Sequence, residues 1–88
     1  MGQLEIRVEA CARRLQSACY EWGIVLSGDQ RVGEAHAAQL LGIDPDHLKS
    51  MRHEGKGPMA YARGVKGSRV SYLLDDLAAW IEAGRDAW

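Results

Sequence analysis

The segment 42–58 carries the strongest local signals of backbone conformation in this 88-residue chain. Asp44 is a preferred N-cap residue, and a proline is tolerated in the first turn of a helix. The pair Asp44-Pro45 therefore predicts a helix that begins at Asp46. Glycine favours the ends of helices, so Gly55 predicts where this helix stops.

The predicted helix has two different faces. Leu48 and Met51 are three residues apart and share one face, which is too little apolar surface to hold so short a helix without a neighbour. The opposite face is polar and carries Asp46, Lys49, Ser50 and His53. The neighbour is predicted over 34–41, closed by Gly42, with a stripe formed by Ala35, Ala38 and Leu41. Together the two segments predict a helix-turn-helix at about 34–54 whose second helix turns a polar, partly basic face outward.

The formal net charge of −1 conceals a segregation of charge along the chain. Residues 47–72 contain one anion, Glu54, and six cations, Lys49, Arg52, Lys56, Arg63, Lys66 and Arg69. Each flanking segment is acidic by three charges. A basic patch is often only a solvated surface, but this one coincides with the predicted helix-turn-helix, which favours nucleic acid as the partner.

Residues 3–26 predict a long amphipathic first helix. Its apolar residues recur at spacings of three and four, at Leu4, Val8, Cys11, Leu15, Ala18 and Trp22. This stripe either packs on the rest of the domain or serves as a seam for self-association, since its spacing is close to that of a coiled coil. A polar loop at 27–30 and a very short strand or extended entry at Arg31-Val32 follow, with Gly33 as a weak cap for the next helix.

Beyond Pro58 the pattern changes to alternation of apolar and polar residues. Segments 59–63 and 68–73 alternate in this way around the glycine-bearing segment 64–67, which predicts a β-hairpin, or wing, with Arg63, Lys66 and Arg69 on its tip and arms. A last helix is predicted over 75–83, with Trp80 as its core anchor against the wing and the first two helices. The tail residue Trp88 is either frayed or covers an apolar patch.

Several classes of protein are disfavoured by what the sequence lacks. It contains no glycine-rich nucleotide motif, no His-Glu-x-x-His and no Cys-x-x-Cys, so we predict neither an enzyme nor a cofactor. Cys11 and Cys19 lie about 12 Å apart along one helix, too far for a disulfide, and without paired metal-ligand spacing. With neither a membrane-spanning run nor a signal peptide, a cytoplasmic location is expected.

Double-stranded DNA is the partner that these residues fit best. Lys49, Ser50 and His53 are predicted to meet base edges in the major groove, where lysine donates to guanine and histidine donates or accepts. Arg52 is predicted to meet phosphate. The wing and the loop before it would meet phosphates or the minor groove through Lys56, Arg63, Lys66 and Arg69.

Three motifs in this order resemble the small winged helix-turn-helix proteins of the excisionase and AlpA type, related to the DNA-binding domain of MerR regulators. They are Ala37-Ala-x-Leu-Leu-Gly42, Glu54-Gly-Lys-Gly-Pro58 and Tyr72-x-x-x-Asp-Leu-x-x-Trp80, within about residues 31–83. The resemblance implies a DNA-bending excisionase, or recombination directionality factor, for an integrase of a phage or mobile element, and alternatively a transcription regulator. Gly33 stands where the family usually has a serine or threonine cap, and residues 1–27 lie outside the resemblance.

The sequence therefore predicts one domain over 1–88, mainly α with a small β-hairpin. A winged helix-turn-helix at 31–83 follows an N-terminal helical extension at 1–27. Because one small module covers little DNA, we also expect cooperative assembly or self-association on repeated sites, through the 4–22 helix or Trp88.

Overall fold

The computed structural model describes residues 2–67 and 69–85. In chain order the elements are α1 (Gln3–Trp22), β1 (Arg31–Gly33), α2 (Glu34–Leu41), α3 (Pro45–His53), β2 (Ser71–Leu73) and α4 (Leu74–Ala83). The architecture is mainly helical with a small antiparallel sheet, which confirms the predicted winged helix-turn-helix with an N-terminal helix. The described part of the chain contains no helix long and apolar enough to span a membrane.

The first helix forms part of the domain core. It makes the most extensive contact between any two described elements with α4, and it buries Cys11, Leu15 and Cys19. Both thiols are free, and burial raises their pKa. The helix ends at Trp22, earlier than predicted, because Gly23 adopts a left-handed φ of 70°. Of the two alternatives for the apolar stripe, packing on its own domain holds for the central residues Cys11 and Leu15.

The helix pair α2–α3 forms where the local signals predicted it. Gly42 ends α2 with a φ of 74°, and the Asp44 side chain accepts a hydrogen bond of 2.8 Å from the backbone N–H of Asp46. The helix itself begins one residue earlier than predicted, at Pro45. The predicted stripe of α2 is wrong at one position, since Ala35 is exposed, whereas Ala37 and Ala38 are fully buried with Leu48 of α3.

The strand pairing differs from the predicted hairpin. β2 pairs antiparallel with β1, with the buried residues Val32 and Tyr72 opposite each other. Of the predicted first arm, 59–63, only Tyr61 pairs with β2, through two reciprocal backbone hydrogen bonds with Ser71 of 2.8 and 3.1 Å. β2 is therefore flanked by β1 on one edge and by a single bridge on the other. Ser68, predicted within the second arm, and Trp88 lie outside the described residues.

The last helix follows β2 without an intervening loop. It buries Leu74, Leu77 and Ala78, and not the predicted anchor Trp80, which is only partly buried. The Trp80 indole Nε1 instead donates a hydrogen bond of 3.1 Å to the carbonyl of Lys56, so this side chain holds the loop that follows α3.

Candidate nucleic-acid interface

The outward side of α3 carries the three residues predicted to read bases. Lys49, Ser50 and His53 are all exposed and lie on one side of the helix, whereas Leu48 on the other side is fully buried. We call these three residues the recognition face. The nine-residue helix is thus amphipathic: its buried side packs on the domain, and its outward side exposes polar side chains.

A buried-side network fixes the orientation of α3. The Arg52 guanidinium donates from Nε and Nη2 to the Glu34 carboxylate, at 2.7 and 3.2 Å. The Tyr72 hydroxyl donates to the same carboxylate at 2.7 Å. One carboxylate at the start of α2 therefore ties the end of the recognition helix to strand β2.

The electrostatics of this network follow from its hydrogen bonds and burial. The hydrogen bond from Arg52 lowers the pKa of Glu34 below its ordinary value of 4.5, while partial burial acts in the opposite direction. The hydrogen bond to Glu34 raises the pKa of Arg52. Burial, and then the hydrogen bond to Glu34, raises the pKa of Tyr72. The network is thus ionised at its carboxylate and guanidinium and protonated at its phenol near neutral pH.

The sequence analysis missed this role of Arg52 and Glu34. The two residues are 18 positions apart and belong to different helices, so no local pattern indicates their contact. The structure gives Arg52 an intramolecular partner and a side chain that is 26% exposed. The phosphate contact predicted for Arg52 stays a prediction, and the observed geometry makes it a support for the recognition face.

The loop after α3 is folded back onto that helix. Gly55 has a left-handed φ of 71°, and the backbone N–H of Lys56 donates to the Met51 carbonyl at 2.8 Å. The side chain of Lys56 is exposed and its Nζ lies 3.5 Å from the Glu54 carboxylate. An exposed pair of this kind contributes little stability, so Lys56 can exchange Glu54 for another anion at small cost.

We call residues 59–70 the wing loop. The cations predicted on its tip and arms, Arg63, Lys66 and Arg69, are all exposed. Lys66 and Gly67 both have positive φ angles, of 46° and 84°, which makes the tip a tight turn. The loop thus presents its cations without the two-stranded arms that the sequence predicted.

Two hollows lie between the wing loop and the helix pair. An open cleft of about 380 Å³ separates it from the end of α3 and is lined by Arg52, Gly55, Pro58, Met59, Tyr61 and Val70. A second hollow of about 330 Å³ lies between Val65 and Lys66 of the loop and the start of α2, including Glu34 and His36. The wing loop is therefore a neighbour of the end of α3, the helix that carries the recognition face.

Arg31 is a further residue of this region that sequence reasoning missed. Its Nη1 donates to the Arg63 carbonyl at 3.2 Å and to the Ser71 hydroxyl at 2.9 Å. Its Nε donates to both oxygens of the Asp29 carboxylate, at 3.0 and 2.9 Å. The sequence indicated only an extended backbone here, because its partners Arg63 and Ser71 are 32 and 40 residues away.

Comparison with known families agrees with this geometry. A helix-turn-helix domain family model matches residues 35–85, which is more than half of the chain and includes α3, the wing loop and α4. No curated protein and no solved structure matches the chain. The matched region contains the exposed helix α3 and nearly all of α2, which supports it. The chain therefore belongs to the helix-turn-helix domain family, whose fold supports binding to double-stranded DNA.

Proposed function

We propose that this protein is a sequence-specific, DNA-bending factor of the excisionase type that directs an integrase of a phage or mobile element toward excision. The observation that carries this proposal is that α3 carries the exposed recognition face while the wing loop, with its exposed cations, borders the end of the same helix. The family membership supports DNA binding. The excision role rests on the resemblance of the three sequence motifs to excisionases.

Base readout in this proposal is assigned to the recognition face. An α-helix fits the major groove, where Lys49 donates to the acceptors of guanine and His53 donates or accepts according to its tautomer. Ser50 is short and serves either a base edge or a phosphate. Arg52 holds the helix through Glu34, so we assign it an indirect role in readout.

Backbone and minor-groove contacts are assigned to Lys56 and the wing loop. Arg63, Lys66 and Arg69 are exposed and flank a tight turn, a shape that can follow the phosphate backbone. Arginine inserted into a minor groove reads its width and favours bent DNA. Bending is the property that an accessory factor for an integrase requires, because distant DNA segments must be brought together.

Cooperative assembly is part of the proposal, since a single small module buries only about 600–1,000 Å² on DNA. The central apolar stripe of α1 is occupied inside the domain. We therefore place contacts between adjacent DNA-bound copies on the outward side of this helix, where Ile6 and Tyr20 are 48% and 89% exposed. Contacts of this kind link neighbouring binding events and raise the effective concentration.

The direct test is to identify an integrase gene next to the gene of this protein and to reconstitute excision with that integrase and its element ends. Excision should rise with the wild-type protein and stay at the integrase-only level with the double variant Lys49→Ala and His53→Ala. Ala79→Ser, on an exposed position of α4, is the control and should retain the wild-type effect. Specific DNA binding without any change in excision would overturn the excision role. Transcription from a promoter that carries the bound site would then test the alternative, an AlpA-like regulator.

A further inference from the structure

Arg31 lies where the wing loop joins the sheet. Its guanidinium contacts Arg63 within that loop and Ser71 directly after it. One nitrogen, Nη1, donates hydrogen bonds to the Arg63 carbonyl before the turn and to the Ser71 hydroxyl after it. The guanidinium carbon also lies 5.2 Å from the centroid of the Tyr61 ring, within cation–π distance. The side chain is only 20% exposed.

These contacts close a small circuit. The Ser71 hydroxyl donates to the same Arg63 carbonyl at 2.8 Å, while the backbones of Tyr61 and Ser71 are joined by two hydrogen bonds. On its other side Arg31 is held by Asp29, whose carboxylate also accepts a hydrogen bond of 2.6 Å from Ser27. Asp29 therefore fixes the guanidinium at Nε, and the hydrogen bonds from Nη1 then hold the wing loop in a defined position.

We propose that Arg31 is a positioning residue that orients the wing loop toward DNA and acts through Arg63 and Lys66 instead of contacting DNA itself. The proposal rests on the proposed function, namely binding of duplex DNA by the wing loop. Arg31 reaches these acceptors from two separate nitrogens of one rigid plane, Nε for Asp29 and Nη1 for Ser71 and the Arg63 carbonyl. A lysine keeps the positive charge but supplies a single nitrogen, so it cannot hold the same geometry.

The first test uses the free protein. Trypsin cleaves after Arg63, Lys66 and Arg69, which lie on the wing loop. Arg31→Lys should increase the rate of cleavage at these bonds several-fold with little change in Tm, because the β1–β2 backbone pairing remains. Arg13→Lys, exposed on α1, is the matched control and should leave the rate unchanged. Unaltered wing-loop cleavage in Arg31→Lys would overturn the proposal.

A second variant guards against a change that merely unfolds the chain. Asp29→Asn leaves Arg31 in place but weakens the ion pair that fixes Nε. It should increase wing-loop cleavage in the same direction as Arg31→Lys and by a smaller factor. A faster cleavage at all sites of the chain, with a large fall in Tm, would indicate a purely structural role and would overturn the proposal.

The second test uses duplex DNA and a double-mutant cycle. Arg31→Lys conserves charge, yet it should flatten the dependence of log affinity on log salt by about two, the effect of losing two phosphate contacts. Combining it with Arg63→Ala and Lys66→Ala should cause no further loss of affinity beyond that of the wing-loop variant. Additive losses would mean that Arg31 acts independently of the wing loop and would overturn the proposal. Failure of the wild-type protein to bind any duplex would instead overturn the proposed function, and the trypsin result would be unaffected.

Discussion

At the scale of single residues, the Glu34 carboxylate joins α3 to β2, and we expect the orientation of α3 to depend on it. It is 18% exposed and accepts hydrogen bonds from Arg52 and Tyr72. Glu34→Gln removes the charge while keeping the size of the side chain. We expect the free energy of unfolding to fall by about 1.5–3 kcal/mol, the range for hydrogen bonds to charged groups. Urea denaturation at neutral pH measures this change.

The pH dependence of this effect has a definite sign. Because the folded-state pKa of Glu34 is below its ordinary value of 4.5, the stabilisation is fully present above pH 4.5 and is lost as the pH falls through the folded-state pKa. The difference between wild type and Glu34→Gln should therefore shrink in acid. Glu21→Gln, exposed on α1, is the control and should show no such difference. A stability difference that persisted unchanged well below pH 4.5 would contradict this account of the network.

The recognition face yields a prediction about sequence preference. Lys49→Ala should weaken binding to the preferred site by about 1–3 kcal/mol and relax the preference at a single base pair. Lys56→Ala, assigned to phosphate, is the contrasting variant and should weaken binding to all sequences about equally. Fluorescence anisotropy with a set of singly substituted duplexes distinguishes the two patterns. If Lys49→Ala weakened binding equally for all sequences, Lys49 would contact the phosphate backbone of DNA and not a base.

At the scale of elements, the wing loop should supply electrostatic affinity more than base readout. The double variant Arg63→Ala and Arg69→Ala should flatten the log–log salt dependence by about two, one for each phosphate contact removed. Arg13→Ala with Arg14→Ala, both exposed on α1, removes equal charge from outside the wing loop and is the control on a duplex with a single site, where contacts between copies through α1 do not arise. Titration at several salt concentrations measures the slopes, and equal slopes for both double variants would show that the loop does not contact DNA.

The elements differ in how far the sequence could predict them, and the difference has a physical basis. α3 was predicted to within one residue at its start because its cap, its proline and its closing glycine act locally. The pairing of β1 with β2 joins residues about 40 positions apart, and strands of three residues show no periodicity. The stripe of α2 was misplaced at Ala35 because alanines at 35, 37 and 38 fit more than one register of so short a helix.

The same distinction applies to the interface. The recognition face could be predicted because residues three and four apart share a helix face. The ion pair of Arg52 with Glu34 and the contacts of Arg31 with the wing loop could not, because each joins elements that are distant in sequence. Local patterns thus identified the exposed polar side chains of α3, whereas the contacts that hold this helix and the wing loop became visible only in the folded chain.

At the scale of the whole molecule, α1 is expected to be required for folding. It buries Cys11, Leu15 and Cys19 in the common core, and its Arg7 pairs with Glu82 of α4 at 3.1 Å. Deletion of residues 1–26 exposes the facing side of α4, so we expect the remaining chain to lose cooperative thermal unfolding. Circular dichroism measures this loss. A stably folded remnant would show that α1 is dispensable for the core.

A surface variant separates the assembly role of α1 from its core role. Ile6→Ser with Tyr20→Ser changes exposed side chains only and should leave Tm close to wild type. On DNA with repeated sites it should bind with reduced cooperativity, measured by the steepness of the titration. Its affinity for a duplex with one site should be unchanged. Undiminished cooperativity would remove the outward side of α1 as the contact between copies.

The hydrogen-bonded pair of Tyr61 and Ser71 also has a consequence for how such a protein can diversify. The pair closes the chain at the base of the wing loop, and the Arg63 carbonyl is held by Arg31 and Ser71, so residues 64–70 form an interval that is fixed at both ends. The entropic cost of closing a flexible loop rises by only about 0.6 kcal/mol for each doubling of its length. We therefore expect insertions or exchanges in this interval to alter the proposed reach of the protein along DNA while the helix pair stays in place. This interval is a natural point for evolution or engineering to retarget the protein.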